Sequence, residues 1–290
     1  MSVTRTGGFA IGFRRMGSAW QKDLPGLIRW ARETGFSAMD LGDDGDKTAE
    51  VVARAGLRIG SVDLPEWPGM ISPDKAKRAD AVAKNADYVR ACSKIGPVNH
   101  FLVMLPEKPE LPRSENFGYM AASFAELSPV LEKASARVAL EGWPGPGALC
   151  CTPEGLRAFF KECPSPALGV TYDPSHLIRM GIDPLRFLRE FTGRVAHIHG
   201  KDTELFPEGL YEYGNLQPPT RARPHGFGGV CWRYAIPGHG VMSWIEAFRI
   251  LAASGYRGAV SVELEDENFN GTEAGEKLGL GLGCRYLQGC

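Results

Sequence analysis

The stretch Val195-Ala196-His197-Ile198-His199-Gly200-Lys201-Asp202 sets two imidazoles, an ammonium and a carboxylate at the end of a short apolar run. Three other β-like runs end in an acid: Arg137 to Glu141, Leu168 to Asp173, and Val260 to Glu263. If these ends converge, three carboxylates and an imidazole share one place, and like charges taken out of water need a cation or protons to coexist. A divalent metal ion meets that need. One nitrogen among oxygens suits Mn²⁺ first or Mg²⁺, with Co²⁺ or Zn²⁺ as alternatives, and an octahedral ion with four protein ligands keeps two positions for substrate oxygens. The last run offers both Glu263 and Glu265 on one parity, and Glu263 lies deeper in the strand.

The four runs share a pattern that would bring their ends together. Residues of the same parity as the polar end are small or polar (Ala139, Gly169, Thr171, His197, Ser261), while those of opposite parity are mostly bulky and apolar. Such alternation fits parallel strands whose inner face lines a barrel axis and whose outer face packs on helices. Barrel enzymes place their chemistry at the C-terminal ends of the strands, where all four polar groups fall.

The rest of the chain supplies the remaining elements. Strand-like runs occur at Phe9 to Phe13, Ala38 to Leu41, Leu57 to Leu64 and Val98 to Leu105. Helical spacing over Leu24 to Glu33, Lys47 to Ala55, Ser72 to Ile95, Tyr119 to Ala134, Thr152 to Lys161, Pro174 to Glu190, Ser243 to Ala253 and Glu273 to Leu287 separates them, with a break near Gly181 to Pro184. Ser72-Pro73-Asp74 is expected to cap the third of these helices with proline at its first position. With the last strand at Ala259 to Leu264, eight strands alternate with helices, which predicts an α/β fold, a (β/α)8 TIM barrel, as a single domain over residues 1–290.

One connection breaks the rhythm. Between Asp202 and Gly240 lie almost forty residues without clear periodicity, rich in aromatics including Tyr211, Tyr234 and Trp232. Long connections of this kind are usually functional, and residues 203–239 are expected to form an insertion after strand seven that roofs the C-terminal face. The alternative use is a contact in a homo-oligomer. Pro65 to Gly69 reads as a rigid loop with an exposed Trp67. The glycine run Gly279 to Gly283 lacks the preceding strand that a phosphate-binding loop needs.

Composition excludes several classes. A chain of 290 residues with 43% hydrophobic and 23% charged residues can bury a sizeable core, and a formal charge of -1 gives no electrostatic reason to expect a nucleic-acid or membrane partner. Seven cysteines, odd in number and never spaced as CxxC, argue against a disulfide framework or zinc knuckle. With no apolar run of about 20 residues and no targeting segment in view, a cytoplasmic location is expected.

The motifs Ala139-Leu140-Glu141-Gly142-Trp143, Asp173-Pro174-Ser175-His176, His199-Gly200-Lys201-Asp202 and Ser261-Val262-Glu263 resemble the xylose-isomerase-like barrels, in particular the sugar isomerase and epimerase branch with the ketose 3-epimerases and inosose dehydratases. The resemblance covers nearly the whole chain. It implies that Glu141, Asp173, His199 and Glu263 hold the metal, that Glu141 and Glu263 double as catalytic acid/base groups, and that His176 contacts a substrate oxygen. It also implies a small sugar or keto-sugar as substrate. Lys201, Trp143, Trp232 and His239 are further expected substrate contacts, although Lys201 could instead pair with Asp202. His197 is expected in the core. The chain departs from the ketose epimerases after His199, where the arginine they use on substrate is not evident and the aromatic insertion begins.

Four activities compete. An isomerase or epimerase working through an enediolate stands first, and a lyase that uses the same base to expel a β-oxygen from a keto-sugar, inosose or keto-glycoside stands second. A barrel nuclease would need more histidines than six and a basic groove. A non-catalytic sugar-binding protein would have little use for a full set of acid/base carboxylates.

Overall fold

The structure, a computed structural model, describes residues 8–290; residues 1–7, part of the stretch read above for a targeting segment, lie outside it. In chain order the elements are β1 (Ala10–Arg14), α1 (Leu24–Thr34), β2 (Ala38–Leu41), α2 (Gly45–Arg54), β3 (Arg58–Asp63), α3 (Lys75–Cys92), β4 (Asn99–Val103), α4 (Arg113–Lys133), β5 (Arg137–Glu141), α5 (Pro153–Glu162) and β6 (Leu168–Tyr172). There follow α6 (Pro174–Arg179), α7 (Pro184–Phe191), β7 (Val195–Gly200), β8 (Asp202–Leu205), α8 (Pro207–Tyr213), β9 (Trp232–Ala235), α9 (Trp244–Ala253), β10 (Ala259–Val262) and α10 (Glu273–Gly289). Eight strands close a parallel barrel in the order β1-β10-β7-β6-β5-β4-β3-β2, and β8 and β9 form a separate antiparallel pair. This is the (β/α)8 architecture. Among the described residues no helix is long and apolar enough to cross a membrane.

Helix boundaries follow local chemistry. Asp23 accepts from the Gly26 amide at the start of α1, and Gly35 ends that helix at φ 96°, a left-handed conformation that glycine adopts without penalty. Thr152 caps α5 through the Gly155 amide. At α3 the cap is Asp74 rather than Ser72: the Asp74 carboxylate accepts from the Ala76 and Lys77 amides, and Ser72 Oγ, two residues earlier, accepts from the Asp74 amide. Helix α4 begins six residues before the expected Tyr119, because its first turn is largely polar and exposed and carries no apolar period. Trp67 is half-buried, in a short 3-10 turn, rather than exposed.

The chain divides into two compact units. The first comprises residues up to Ala38, Asp173–Thr192 and His199–Cys290. Its core includes Phe13 against Phe36 with ring centroids 4.8 Å apart, Leu27 and Ala31 of α1, and Trp244 and Phe248 of α9. The glycine run falls inside α10, where Gly279 is pressed against Phe269 and has no room for a Cβ.

The second unit comprises Met39–Tyr172 and Gly193–Ile198. Strands β4, β5 and β6 run parallel in it, with Val103 opposite Glu141 and Glu141 opposite Thr171. Strand β6 is buried along its whole length, as a strand covered on both faces must be. The inward parity is crowded: a Cβ on Gly169 would stand 2.6 Å from the Arg194 carbonyl oxygen, so only glycine fits there.

The long connection is not structureless. Asp202 pairs with Ala235 and Leu205 with Trp232 in a regular antiparallel register, and α8 stands between them. The partners lie about thirty residues apart in sequence, which conceals the pairing from any local pattern.

Candidate metal centre

Asp173 follows β6 and caps α6, and its two oxygens do different things. Oδ1 accepts from the Ser175 amide at 2.9 Å and the Ser175 hydroxyl at 2.6 Å, while Oδ2 faces Lys201 Nζ at 3.1 Å and His176 Nε2 at 3.3 Å. The helix start thus fixes the carboxylate through one oxygen and leaves the other for the cluster, which is how supporting hydrogen bonds orient a metal ligand.

Glu263, one residue past β10, lies against two cations and an imidazole. Lys201 Nζ lies 2.5 Å and His199 Nδ1 3.4 Å from Oε2, and Arg14 Nε lies 3.3 Å from Oε1. Burial acts to raise its pKa, but Lys201, His199 and Arg14 outweigh it and hold the carboxyl well below the usual carboxylate range. Glu263 is therefore ionised at neutral pH. Lys201 is itself buried, also reaches Glu265 Oε2 at 2.9 Å, and lies 4.6 Å from the centre of the Tyr234 ring. His176, three residues after Asp173 along α6, brings Nδ1 within 2.6 Å of the Tyr234 hydroxyl.

Glu141 is buried at the end of β5. Within the first unit, one ligand atom each from Asp173, His199 and Glu263 lie within 4.8 Å of one another. Ligand atoms at about 2.0–2.6 Å from a shared ion lie up to roughly 5 Å apart, so this spacing and a buried set of two carboxylates and one imidazole fit a single divalent cation.

The other residues singled out from the sequence fall as follows. His197 is buried and hydrogen-bonds Asp40 Oδ2 through Nε2 at 2.7 Å, a core pair. Lys201 pairs with Asp173, Glu263 and Glu265. Asp202 is taken up by the amides of Thr203, Gly238 and Met242, where burial pushes its pKa up against the pull of those amides. Trp232 is half-buried, its ring 5.0 Å from Tyr234 and 4.8 Å below the Arg179 guanidinium. Trp143 is half-buried and folds over Gly145. His239 is exposed, its ring 5.9 Å from Phe269.

Arg14, Tyr234 and Glu265 also lie against these groups; the sequence offered Glu265 only as the alternative to Glu263 and gave Arg14 and Tyr234 no role of their own. Arg14 ends β1, so the rule that marked the other strand ends applies to it equally. Tyr234 stood among the insertion aromatics, but its direction depends on the β8–β9 register. Arg233 fastens that hairpin: its guanidinium meets Glu204 Oε2 at 2.7 Å and Asp266 Oδ1 at 2.8 Å, and Asp266 Oδ2 accepts from the Ile236 amide.

A family model described as xylose isomerase-like TIM barrel matches residues 28–287. The chain belongs to that family. Over 103 residues it is 29% identical to the inosose dehydratase of Bacillus thuringiensis (strain Al Hakam), covering 36% of this chain and 32% of that protein. The chain spans less than half the length of the curated relatives it matches. Among solved structures, the 3-keto-D-glucoside 4-epimerase YcjR of E. coli aligns with a TM-score of 0.69 at 15% identity, over 97% of this chain and all of that one. The IolI protein, solved with a zinc atom, aligns with a TM-score of 0.64 at 18% identity, over 97% of this chain and 95% of that one. At these identities the structures establish likeness of fold.

Proposed function

We propose that the protein is a divalent-metal-dependent isomerase or epimerase of a sugar or keto-sugar, acting by proton abstraction from the carbon next to a carbonyl. The observation that carries this is the buried set of Asp173, His199 and Glu263 with ligand atoms within 4.8 Å of one another, to which Glu141, buried at its own strand end, adds the fourth ligand. Those four residues hold the ion, Mn²⁺ first among candidates, with Mg²⁺, Co²⁺ and the zinc that the IolI structure carries as alternatives. When bound, the ion supplies the Lewis acidity that makes a carbon-bound proton removable by a carboxylate.

The chain's own groups do the rest. Glu141 and Glu263, borne on different strands, take the proton and return it. Glu263 enters the reaction ionised, since Lys201 and Arg14 stabilise its charge. His176, steadied by Tyr234 and facing Asp173, contacts a substrate oxygen. Lys201, Trp143, Trp232 and His239 remain the candidate contacts outward from that centre. We take residues 1–290 as one barrel domain with 203–239 as its roof, and the position of Tyr234 against His176 and Lys201 supports the hairpin as one wall of the site.

The match to an inosose dehydratase supports a second outcome with the same base, a lyase that expels a β-oxygen. Product analysis separates the two, because a lyase product has lost water or gained an unsaturation. Turnover of candidate keto-sugars with and without a chelator tests the reading itself: full activity in metal-free protein would end it.

A further inference from the structure

Lys201 is an unusual neighbour for a metal centre. Its ammonium is buried and lies 2.5 Å from Glu263 Oε2 and 3.1 Å from Asp173 Oδ2, two of the four ligands, and 2.9 Å from Glu265 Oε2, which is outside the ligand set. Glu265 is also the most accessible of these carboxylates, its side chain 26% exposed. Lys201 thus faces three carboxylates, Asp173, Glu263 and Glu265, and Arg14 faces Glu263 from its other oxygen.

We infer that Lys201 is an internal competitor for the metal ligands and that Glu265 is the seat that holds its ammonium when a divalent ion takes Asp173 and Glu263. This rests on the proposal that the four residues bind a metal. The physical argument is electrostatic. A fixed positive charge within hydrogen-bonding distance of two ligand oxygens repels an arriving dication in a poorly screened interior. A carboxylate that draws the ammonium aside reduces that repulsion, and here Glu265 is bonded to the same nitrogen. The Tyr234 ring, 4.6 Å from Nζ, offers a further surface along which the ammonium stays stabilised away from the ligands. Lys201 is thus a positioning residue that sets metal affinity.

The inference predicts opposite signs for two residues that are not ligands. Mn²⁺ affinity is measured at fixed pH and ionic strength by competition with a chromophoric chelator, on the full chain, for wild type, Lys201→Met, Glu265→Gln and the double variant, with circular dichroism to confirm folding. Lys201→Met is expected to bind Mn²⁺ at least about ten-fold tighter and Glu265→Gln several-fold weaker, the scale set by a unit charge near a dication. Because Glu265 acts through Lys201, its substitution is expected to change affinity less than about two-fold in the Lys201→Met background, the mark of a coupled pair. Unchanged or weaker binding by folded Lys201→Met overturns the inference. So does tighter or equal binding by Glu265→Gln, which decides the matter if Lys201→Met fails to fold. An effect of Glu265→Gln that persists in the double variant also overturns it, since that would be simple loss of negative charge. Wild-type protein that takes up no Mn²⁺, Zn²⁺ or Co²⁺ refutes the metal centre itself, a separate result from any of these.

Discussion

The Tyr234 hydroxyl lies 2.6 Å from His176 Nδ1, joining a hairpin of the long connection to the helix that Asp173 caps. Both side chains are buried, and burial pushes the Tyr234 pKa up, so the phenol stays protonated. Tyr234→Phe deletes one member of a buried hydrogen bond and keeps the ring over Lys201. It is expected to lower stability by about 1–3 kcal/mol, the cost of an unsatisfied buried group, and to leave metal content unchanged. Urea unfolding with elemental analysis checks both. Loss of the metal with the hydroxyl would mean that Tyr234 orders the ligands as well as the histidine.

Much of this was legible in the sequence, and the reasons differ residue by residue. Glu141, Asp173 and His199 each end a strand with clear parity, a signal that needs only local pattern and the geometry of parallel barrels. Lys201 was visible as a charge but not as a partner of Glu263 and Glu265, because those contacts join positions more than sixty residues apart. The β8–β9 pairing stayed hidden for the same reason. Asp40 lay in a correctly read strand, yet its bond to His197 depends on strand stagger, which periodicity does not encode.

His100, on β4, is a core histidine whose ring nitrogens find no hydrogen-bond partner among the described residues, edge-on to Tyr88 at 5.9 Å. Burial lowers its pKa to about 4 from an ordinary value near 6.5. The unfolded chain therefore binds a proton at higher pH than the folded one, and stability is full above about 6.5 and lost as pH falls toward 4. Between pH 7.5 and 5 this group alone should cost about 2 kcal/mol. His100→Phe is expected to lose that much less stability over the same interval, read from urea unfolding at the two pH values. Equal losses in both proteins would show that His100 does not titrate in this way.

The four proposed ligands sit at strand ends, while the hydrophobic core is built from residues such as Phe13, Val138 and Trp244. Purified protein is expected to carry about one divalent ion per chain, and chelation to abolish activity without unfolding. A bound ion present at a hundred times its Kd adds about 2.7 kcal/mol to stability, so the thermal midpoint should fall on chelation while circular dichroism at room temperature is unchanged. Collapse of the fold on chelation would make the ion structural instead.

The proposed reaction turns on Glu141 and Glu263. A glutamine at either position keeps the size and loses the basicity, so each of Glu141→Gln and Glu263→Gln should reduce kcat by at least about 10²-fold, the usual contribution of a positioned acid or base. Glu263→Gln carries an added consequence, since Lys201 and Arg14 lose the charge they face and metal affinity should fall with it. Loading each variant with Mn²⁺ to saturation before assay separates the two effects. His176→Ala should raise KM more than it lowers kcat. In deuterated water, wild-type enzyme is expected to place solvent deuterium on the carbon beside the carbonyl. Absence of deuterium can reflect internal return of the same proton, so the Gln variants decide: full activity in both, metal-saturated, would exclude carboxylate-mediated proton abstraction at this site.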